Sequence, residues 1–319
     1  EEGKRAAAAG DEEETRERAA ASAPALVERA VPTKAEWHEC IAGTAKARTF
    51  VCEDGGTFPE RAIEGAVAAD VPLQCPPPPP NGDLEGGPTV WFFGDSTLYE
   101  TRDAFQCLCP ESNNRYVSVR GDAALNASGT YATSLSPQIG PRDTVVLNVG
   151  LWFNKVSTNG GTFEVLGEQL ALLGPLLDKD HERLPEATFV WFTSMTQHFC
   201  SPGGVFYKPK GKELKKARAA RGGAGPTCCA HAADEIELGR EEVARANLLL
   251  APRLKRYLRV LDASTFTVPL WDFHPGAAIS KSGDCTHVCS DYNGPIFHLT
   301  RMLANLLAEN NAPATAVKA

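Results

Sequence analysis

Three residues of types that together perform acyl transfer stand at two places in the chain. Ser96 follows an apolar run, and Asp284 precedes His287 by three residues. A serine hydroxyl is a poor nucleophile until a base removes its proton. A spacing of three puts the aspartate and histidine side chains on one face of a helical turn. The carboxylate can then hold one ring nitrogen while the other faces the serine, which predicts Ser96 as nucleophile, His287 as base and Asp284 as the orienting group.

The residues around Ser96 predict a strand, a sharp turn and a helix. Residues 90–93 are apolar without alternation, which is typical of a strand buried on both faces in a parallel sheet. Ligands bind at the carboxyl edge of such sheets. Gly94 permits the turn, and the free amides of the next helix face whatever the serine holds. On this stretch alone an alternative stays open, in which Asp95 and Ser96 only cap the helix.

Further apolar runs predict the rest of the sheet. Predicted strands cover residues 144–149, 187–194 and 259–263. Helical spacing appears between and after them, at residues 163–177, where Pro175 should interrupt the helix, at 233–257 and at 295–310. Strands separated by helices favour parallel pairing with right-handed crossovers. The expected fold class is therefore α/β with a mostly parallel sheet.

Composition divides the chain into four segments. Residues 1–30 are rich in Ala, Glu and Arg and predict a flexible or loosely helical stalk. Residues 31–86 contain cysteines and a five-proline run, and predict an irregular segment held on the core by disulfides. Residues 87–311 form the predicted catalytic domain, and 312–319 a tail.

Charge and hydropathy exclude several classes of protein. The net charge is -8, and positive charge concentrates at residues 208–221, which predict a solvated loop with an anionic-ligand site as the alternative. A nucleic-acid partner is therefore not expected. Apolar runs do not approach the length of a membrane span. A signal peptide or membrane anchor upstream of Glu1 is left open.

The cysteines predict an oxidising compartment. There are 10, an even number and many for a cytosolic enzyme of 319 residues. We expect Cys285 and Cys289 to pair with cysteines elsewhere and to pin the Asp284–His287 loop. The competing possibility is zinc bound by these cysteines, His287 and the pair 228–229, but the ligand spacing is unlike that of usual zinc sites, so no metal is predicted. A single glycosylation acceptor at Asn126 is compatible with secretion.

Five motifs in order resemble the PC-esterase family, and most of all the plant trichome birefringence-like polysaccharide O-acetyltransferases. They are Gly94-Asp95-Ser96 with Cys107 eleven residues after the serine, Asn148-Val149-Gly150-Leu151-Trp152, His198-Phe199, His274-Pro275, and Asp284-Cys285-Thr286-His287 with Cys289.

This resemblance implies a three-layer α/β/α fold like that of SGNH hydrolases. It also implies O-acetyl transfer to, or hydrolysis from, a glycan through an acyl-serine at Ser96, with His287 as base and Asp284 as its partner. No cofactor is implied, and an acyl donor such as acetyl-CoA is a substrate. The compartment implied is the Golgi lumen or the extracellular space.

The resemblance further implies that Asn148 donates a hydrogen bond to the oxyanion. The residues expected to form the oxyanion and substrate site are Gly94, Asp95, Asn148, Gly150, Trp152 and His198. From the residues themselves His198, His274 and His298 could each be structural instead. Trp152 is either part of the core or a platform on which a sugar stacks.

Several positions depart from the family pattern. Thr97, Leu98 and Tyr99 follow the serine where the family has Leu-x-Arg, so Arg102 is the candidate to replace that arginine. Val288 replaces a tryptophan. The alternative function is a catalytically silent glycan-binding ectodomain of the same fold, which would have no need for an intact Ser-His-Asp set.

Overall fold

The computed structural model describes residues 27–44, 52, 73–76, 87–153, 163–199, 228–230, 257–270, 273–275 and 284–309. Several predictions lie outside this part of the chain. They concern residues 1–26 of the stalk predicted over residues 1–30, the basic loop 208–221, residues 233–256 of the helix predicted over 233–257, and the tail 312–319. The last residues of the predicted stalk are described and include a strand, Val27–Arg29.

A five-stranded sheet with all strands parallel forms the centre of the molecule. Its strands are β3 (Thr89–Gly94), β4 (Asn113–Ser118), β5 (Thr144–Leu147), β6 (Thr188–Phe192) and β7 (Leu258–Leu261), in the order β4-β3-β5-β6-β7. After β3 the chain adds β4 on one side of that strand and then adds β5, β6 and β7 on the other side, so the order of strand addition switches between β3 and β5. In open α/β sheets, the carboxyl ends of the strands at such a switch point form the usual ligand crevice.

The helices within the described residues are α1 (Lys34–Gly43), α2 (Ser96–Leu108), α3 (Asp122–Leu125), α4 (Ala127–Thr130), α5 (Phe163–Arg183), α6 (Ala263–Thr267) and α7 (Pro295–Glu309). A π-helical turn, Tyr131–Leu135, and a 3-10 turn, Ser136–Gln138, follow α4.

Strand β3 is buried along its whole length and feeds two cores. Trp91 and Phe93 belong to the core beneath α5, while Phe92 belongs to the core beneath α2 and α7. Successive side chains of a strand point to opposite faces, so an unbroken apolar run requires cover on both sides. The predicted α/β fold, a parallel sheet with a helical layer on each face, is confirmed.

Helix α5 differs from its prediction because it continues through Pro175 to Arg183. The proline side chain is exposed, while Leu173 and Leu177 on the other side of the helix pack into the core. Proline removes one backbone donor, and the carbonyl left without it can be hydrated on an exposed face. Burial of the apolar face therefore outweighs the break that the sequence predicted.

The N-terminal segment has more regular structure than predicted. Strand β1 (Val27–Arg29) pairs antiparallel with β2 (Leu73–Cys75), and a capping box at Thr33 begins α1. Two disulfides, Cys40–Cys107 and Cys75–Cys109, join these elements to the end of α2. In the described ranges, no helix is long and apolar enough to cross a membrane.

Candidate active site

Ser96 begins helix α2 directly at the carboxyl end of β3. Asp95 caps this helix, accepting hydrogen bonds from the Thr97 amide at 2.9 Å and the Thr97 hydroxyl at 2.6 Å. A Cβ at Gly94 would lie 2.8 Å from the Asn148 carbonyl oxygen, so the close approach of β3 to the end of β5 requires glycine here. Capping by Asp95 leaves the Ser96 side chain partly exposed at the sheet edge.

The carboxyl group of Asp95 is fully buried under this turn. Burial raises its pKa, while the hydrogen bonds from Thr97 and the nearby charge of His287 act in the opposite direction. The predicted role of Asp95 at the substrate stays a prediction, and what the structure gives is its role in shaping the turn.

His287 lies between Ser96 and Asp284. Its Nε2 is 2.9 Å from the Ser96 Oγ, and its Nδ1 is 2.9 Å from the Asp284 Oδ2. The other carboxylate oxygen, Oδ1, accepts from the backbone amides of Thr286 at 3.0 Å and His287 at 3.1 Å. The structure thus brings together the three residues that the sequence singled out, although Ser96 and His287 lie 191 positions apart in the chain.

Asp284 is negatively charged in this arrangement. Burial alone would raise its pKa, but the hydrogen bond and charge of His287, together with the two backbone amides, outweigh burial and lower the pKa to about 2. A carboxylate on Nδ1 fixes the tautomer in which Nε2 can accept the serine proton.

Disulfides fix the loop that carries the histidine. Cys285 pairs with Cys228, and Cys289 pairs with Cys52. The prediction that both loop cysteines are oxidised is confirmed. Both sulfur atoms are therefore in disulfide bonds and are not thiolates, which disagrees with the zinc alternative.

Hydrogen bonds join the same loop to the rest of the molecule. The Ser290 hydroxyl donates to the buried Glu100 carboxylate on α2 at 2.9 Å, and the Trp37 indole donates to the Ser290 carbonyl at 2.9 Å. The Cys289 amide donates to the Phe273 carbonyl at 2.8 Å. The loop that carries His287 is therefore bound to the helix that begins at Ser96.

Tyr116, which the sequence analysis did not single out, holds the turn before Ser96. Its hydroxyl lies 2.7 Å from the Gly94 carbonyl and 2.8 Å from the Asp95 carbonyl, and its ring stacks on Tyr99 at 4.5 Å. Burial raises the pKa of Tyr116, so the group stays a neutral donor. Nothing in the local sequence marks Tyr116, because its position depends on the pairing of β4 with β3, which places it beside Phe92.

Asn148 is buried at the end of β5 with its side-chain amide turned toward β6. The Nδ2 group donates to the Phe192 carbonyl at 3.0 Å and lies 3.5 Å from the Ser194 hydroxyl. Its backbone amide donates to the Phe93 carbonyl at 2.9 Å. An oxyanion role for Asn148 stays a prediction. It requires the Nδ2 hydrogen that faces the Ser194 hydroxyl to donate to the substrate instead.

Gly150 and Trp152 lie in the turn that follows β5. Gly150 is buried, and its carbonyl accepts from the Phe153 amide at 3.1 Å. Trp152 is partly buried and packs against the core beneath α5. This packing favours the core role for Trp152, one of the two roles left open by the sequence. The substrate-binding roles of both residues stay predictions.

His198 has the contacts of a structural histidine. It is fully buried, its Nε2 lies 2.8 Å from the Val268 carbonyl, and its Nδ1 lies 2.6 Å from the Nε2 of His274. The sequence placed His198 among the substrate-binding residues, with a structural role as the alternative. A ring engaged at both nitrogens in the interior matches that alternative.

Two further candidates have local roles in the structure. Arg102 forms an ion pair with Asp103 at 3.0 Å, so the residue expected to replace the family's arginine is engaged on its own helix. His298 is buried on α7 beside Phe297, and burial lowers its pKa to about 4. Neither of these contacts directs the Arg102 or the His298 side chain to the hydroxyl of Ser96.

Comparison with known proteins adds little to this geometry. No family model matches the chain, and no curated protein matches it. One similar solved structure is that of a protein assigned as a GDSL-like lipase from Parabacteroides merdae, at 13% identity and a TM-score of 0.36, covering 70% of this chain and 96% of that one. A likeness at this level does not support a functional assignment. The hydrogen-bonded set of Ser96, His287 and Asp284 is the basis for assigning a function to this chain.

Proposed function

We propose that this protein transfers or hydrolyses O-acyl groups, acetyl groups of a glycan in particular, through an acyl-serine at Ser96. The observation that carries the proposal is the hydrogen-bond chain from Ser96 through His287 to Asp284 at the carboxyl edge of the parallel sheet. Each contact is within the distance at which a nucleophile, its base and an orienting carboxylate act together.

In the first step His287 removes a proton from Ser96. The Nε2 atom accepts the hydroxyl proton while the Oγ attacks the carbonyl carbon of the acyl donor. The resulting imidazolium is stabilised by the charged Asp284. When the tetrahedral intermediate collapses, the bond to the leaving group breaks, and that group takes the proton from His287.

In the second step an acceptor hydroxyl replaces the leaving group. A sugar hydroxyl or water gives its proton to His287 Nε2 and attacks the acyl carbon, and Ser96 recovers the proton as it leaves. A sugar acceptor makes the reaction a transfer, and water makes it a hydrolysis. The residues of the chain perform the same proton transfers in both cases.

The charge on the intermediate needs hydrogen-bond donors near Ser96. The backbone amide of Ser96 stands at the N-terminus of the 13-residue helix α2, where amide groups and the helix dipole favour negative charge. Each donor in an oxyanion site contributes about 3 kcal/mol of transition-state stabilisation. We assign the Ser96 backbone amide as the first donor to the oxyanion and the Asn148 side-chain amide as the second.

The glycan substrate is proposed from the resemblance of five motifs to the PC-esterase family. The acyl donor, acetyl-CoA or another acyl compound, is then a substrate, and no cofactor takes part. The disulfides in the described residues support an oxidising compartment, for which we propose the Golgi lumen or the extracellular space.

Labelling with a serine-reactive fluorophosphonate tests the proposal. Wild type should become labelled, Ser96→Ala should not, and the matched variant Ser134→Ala, which changes an exposed serine, should label like wild type. An unlabelled wild-type protein that still binds oligosaccharides would instead support the catalytically silent glycan-binding ectodomain.

A further inference from the structure

A chain of hydrogen bonds through two buried histidines ends at the residue proposed as base. The Val268 carbonyl lies 2.8 Å from His198 Nε2, and His198 Nδ1 lies 2.6 Å from His274 Nε2. At the other end, His274 Nδ1 lies 2.5 Å from the His287 carbonyl. His198 is 0% exposed and His274 is 8% exposed, so water does not supply these hydrogen bonds.

The two carbonyl groups decide where the protons of these rings lie. A carbonyl oxygen only accepts, so His198 must carry a proton on Nε2 and His274 a proton on Nδ1. A neutral imidazole has a single N–H. If both rings were neutral, His198 Nδ1 and His274 Nε2 would both lack a proton, and their lone pairs would face each other across 2.6 Å. A third proton, placed between the facing nitrogens, completes all three hydrogen bonds and gives the pair one positive charge.

We propose that His198 and His274 share one proton and act as a positively charged pair that positions the backbone of His287. The inference rests on the function proposed for His287 and deepens it. The pair contacts the loop of His287 at two points, since His274 Nδ1 faces the His287 carbonyl and the His198 backbone amide donates to the Cys285 carbonyl at 2.9 Å. The carbonyls of residues 285 and 287 are thereby fixed on either side of Thr286, and the imidazole of His287 is held toward Ser96.

Charges and burial around the pair act in opposite directions. Burial lowers the pKa of His274 to about 3, and charge on His198 or His287 adds to that effect, whereas the His287 carbonyl and the Asp284 carboxylate act in the opposite direction. Burial and charge alone would leave this ring neutral at pH 7, so the shared proton is inferred from the three hydrogen-bond contacts. In the described part of the chain, Asp284 and His287 are the titratable groups that face His274 besides its partner.

Nitrogen-15 NMR of the histidine rings in the full chain tests the shared proton without using activity. At neutral pH the pair should show three protonated ring nitrogens out of four, with one proton resonance far downfield of the amide region. His274→Asn and His198→Gln assign the signals. Two protonated nitrogens in the wild-type pair at neutral pH would overturn the proposal, even if a variant fails to fold.

Kinetics of two variants test the positioning role. His274→Asn retains a donor for the His287 carbonyl, whereas His274→Phe removes it. Small displacements of catalytic groups cost up to about 10²-fold in rate, so the Phe variant should lose at least about tenfold in kcat with little change in KM. The Asn variant should recover most of that loss.

Equal kcat values in wild type and both variants would also overturn the positioning role. A failure of the proposed function is distinguishable from this result. If Ser96→Ala keeps full activity, the function is wrong, yet the proton count in the His198–His274 pair is unaffected.

Discussion

The Ser290 hydroxyl donates to the buried Glu100 carboxylate at 2.9 Å and thereby joins the loop of His287 to the helix of Ser96. Ser290→Ala removes this donor from a buried acidic group. Loss of a hydrogen bond to a buried acceptor destabilises a protein by about 1 to 3 kcal/mol. We expect that loss in urea unfolding, together with a fall in kcat of about tenfold, since the loop is released from the helix.

The matched control for Ser290→Ala is Ser134→Ala, since Ser134 is exposed and remote in sequence from the loop. A Ser290→Ala variant with wild-type stability and wild-type kcat would show that the contact with Glu100 does not position the base.

Tyr116→Phe should impair catalysis more than it impairs folding. The variant keeps the stacking on Tyr99 but loses the hydroxyl that contacts the carbonyls of Gly94 and Asp95. The turn before Ser96 is then less fixed, and kcat should fall about tenfold with a smaller change in KM. Tyr99→Phe is the control because it keeps the same ring stacking. Equal kcat in Tyr116→Phe and Tyr99→Phe would contradict this role.

Mild reduction should lower activity before it unfolds the core. The disulfides Cys228–Cys285 and Cys52–Cys289 hold the loop of the base, whereas the sheet is held by apolar burial on both faces. Local regions can open at lower free energy than the whole domain. Activity and far-ultraviolet circular dichroism are to be followed together during titration with a thiol reductant. Simultaneous loss of both signals would show that the disulfides support the whole fold.

Asp284 should contribute an acid-sensitive part of the stability. Its pKa is lowered from 3.8 to about 2 in the folded protein. A group with a depressed folded pKa stabilises the fold above its unfolded pKa, and that contribution is lost as the pH falls through the folded value. The free energy of unfolding of wild type minus that of Asp284→Asn should therefore shrink as the pH falls from about 4 to about 2. A difference that stays constant over this window would contradict the depressed pKa.

The parts of the site that could be predicted have local signals. The buried strand before Ser96 is an unbroken apolar run, and Asp284 lies three residues from His287, so strand, turn and pairing are all readable within a few residues. The oxidation of Cys285 and Cys289 followed from the number of cysteines, although their partners did not.

The parts that could not be predicted depend on contacts between distant segments. Tyr116 acts through the register of β4, whose sequence NNRYVS is too polar to read as a buried strand. The contact between Ser290 and Glu100 spans 190 residues, and that between His198 and His274 spans 76. The continuation of α5 through Pro175 could not be predicted, because the sequence does not show that the proline side of this helix faces solvent.

Rapid-quench mass spectrometry of the protein mixed with an acetyl ester shows directly whether an acyl-serine forms at Ser96. One acetyl group should form on the peptide that contains Ser96, at least as fast as turnover, and it should be absent in Ser96→Ala and in His287→Ala. Turnover by wild type without acetyl on that peptide, together with an undiminished rate in Ser96→Ala, would contradict an acyl-serine mechanism.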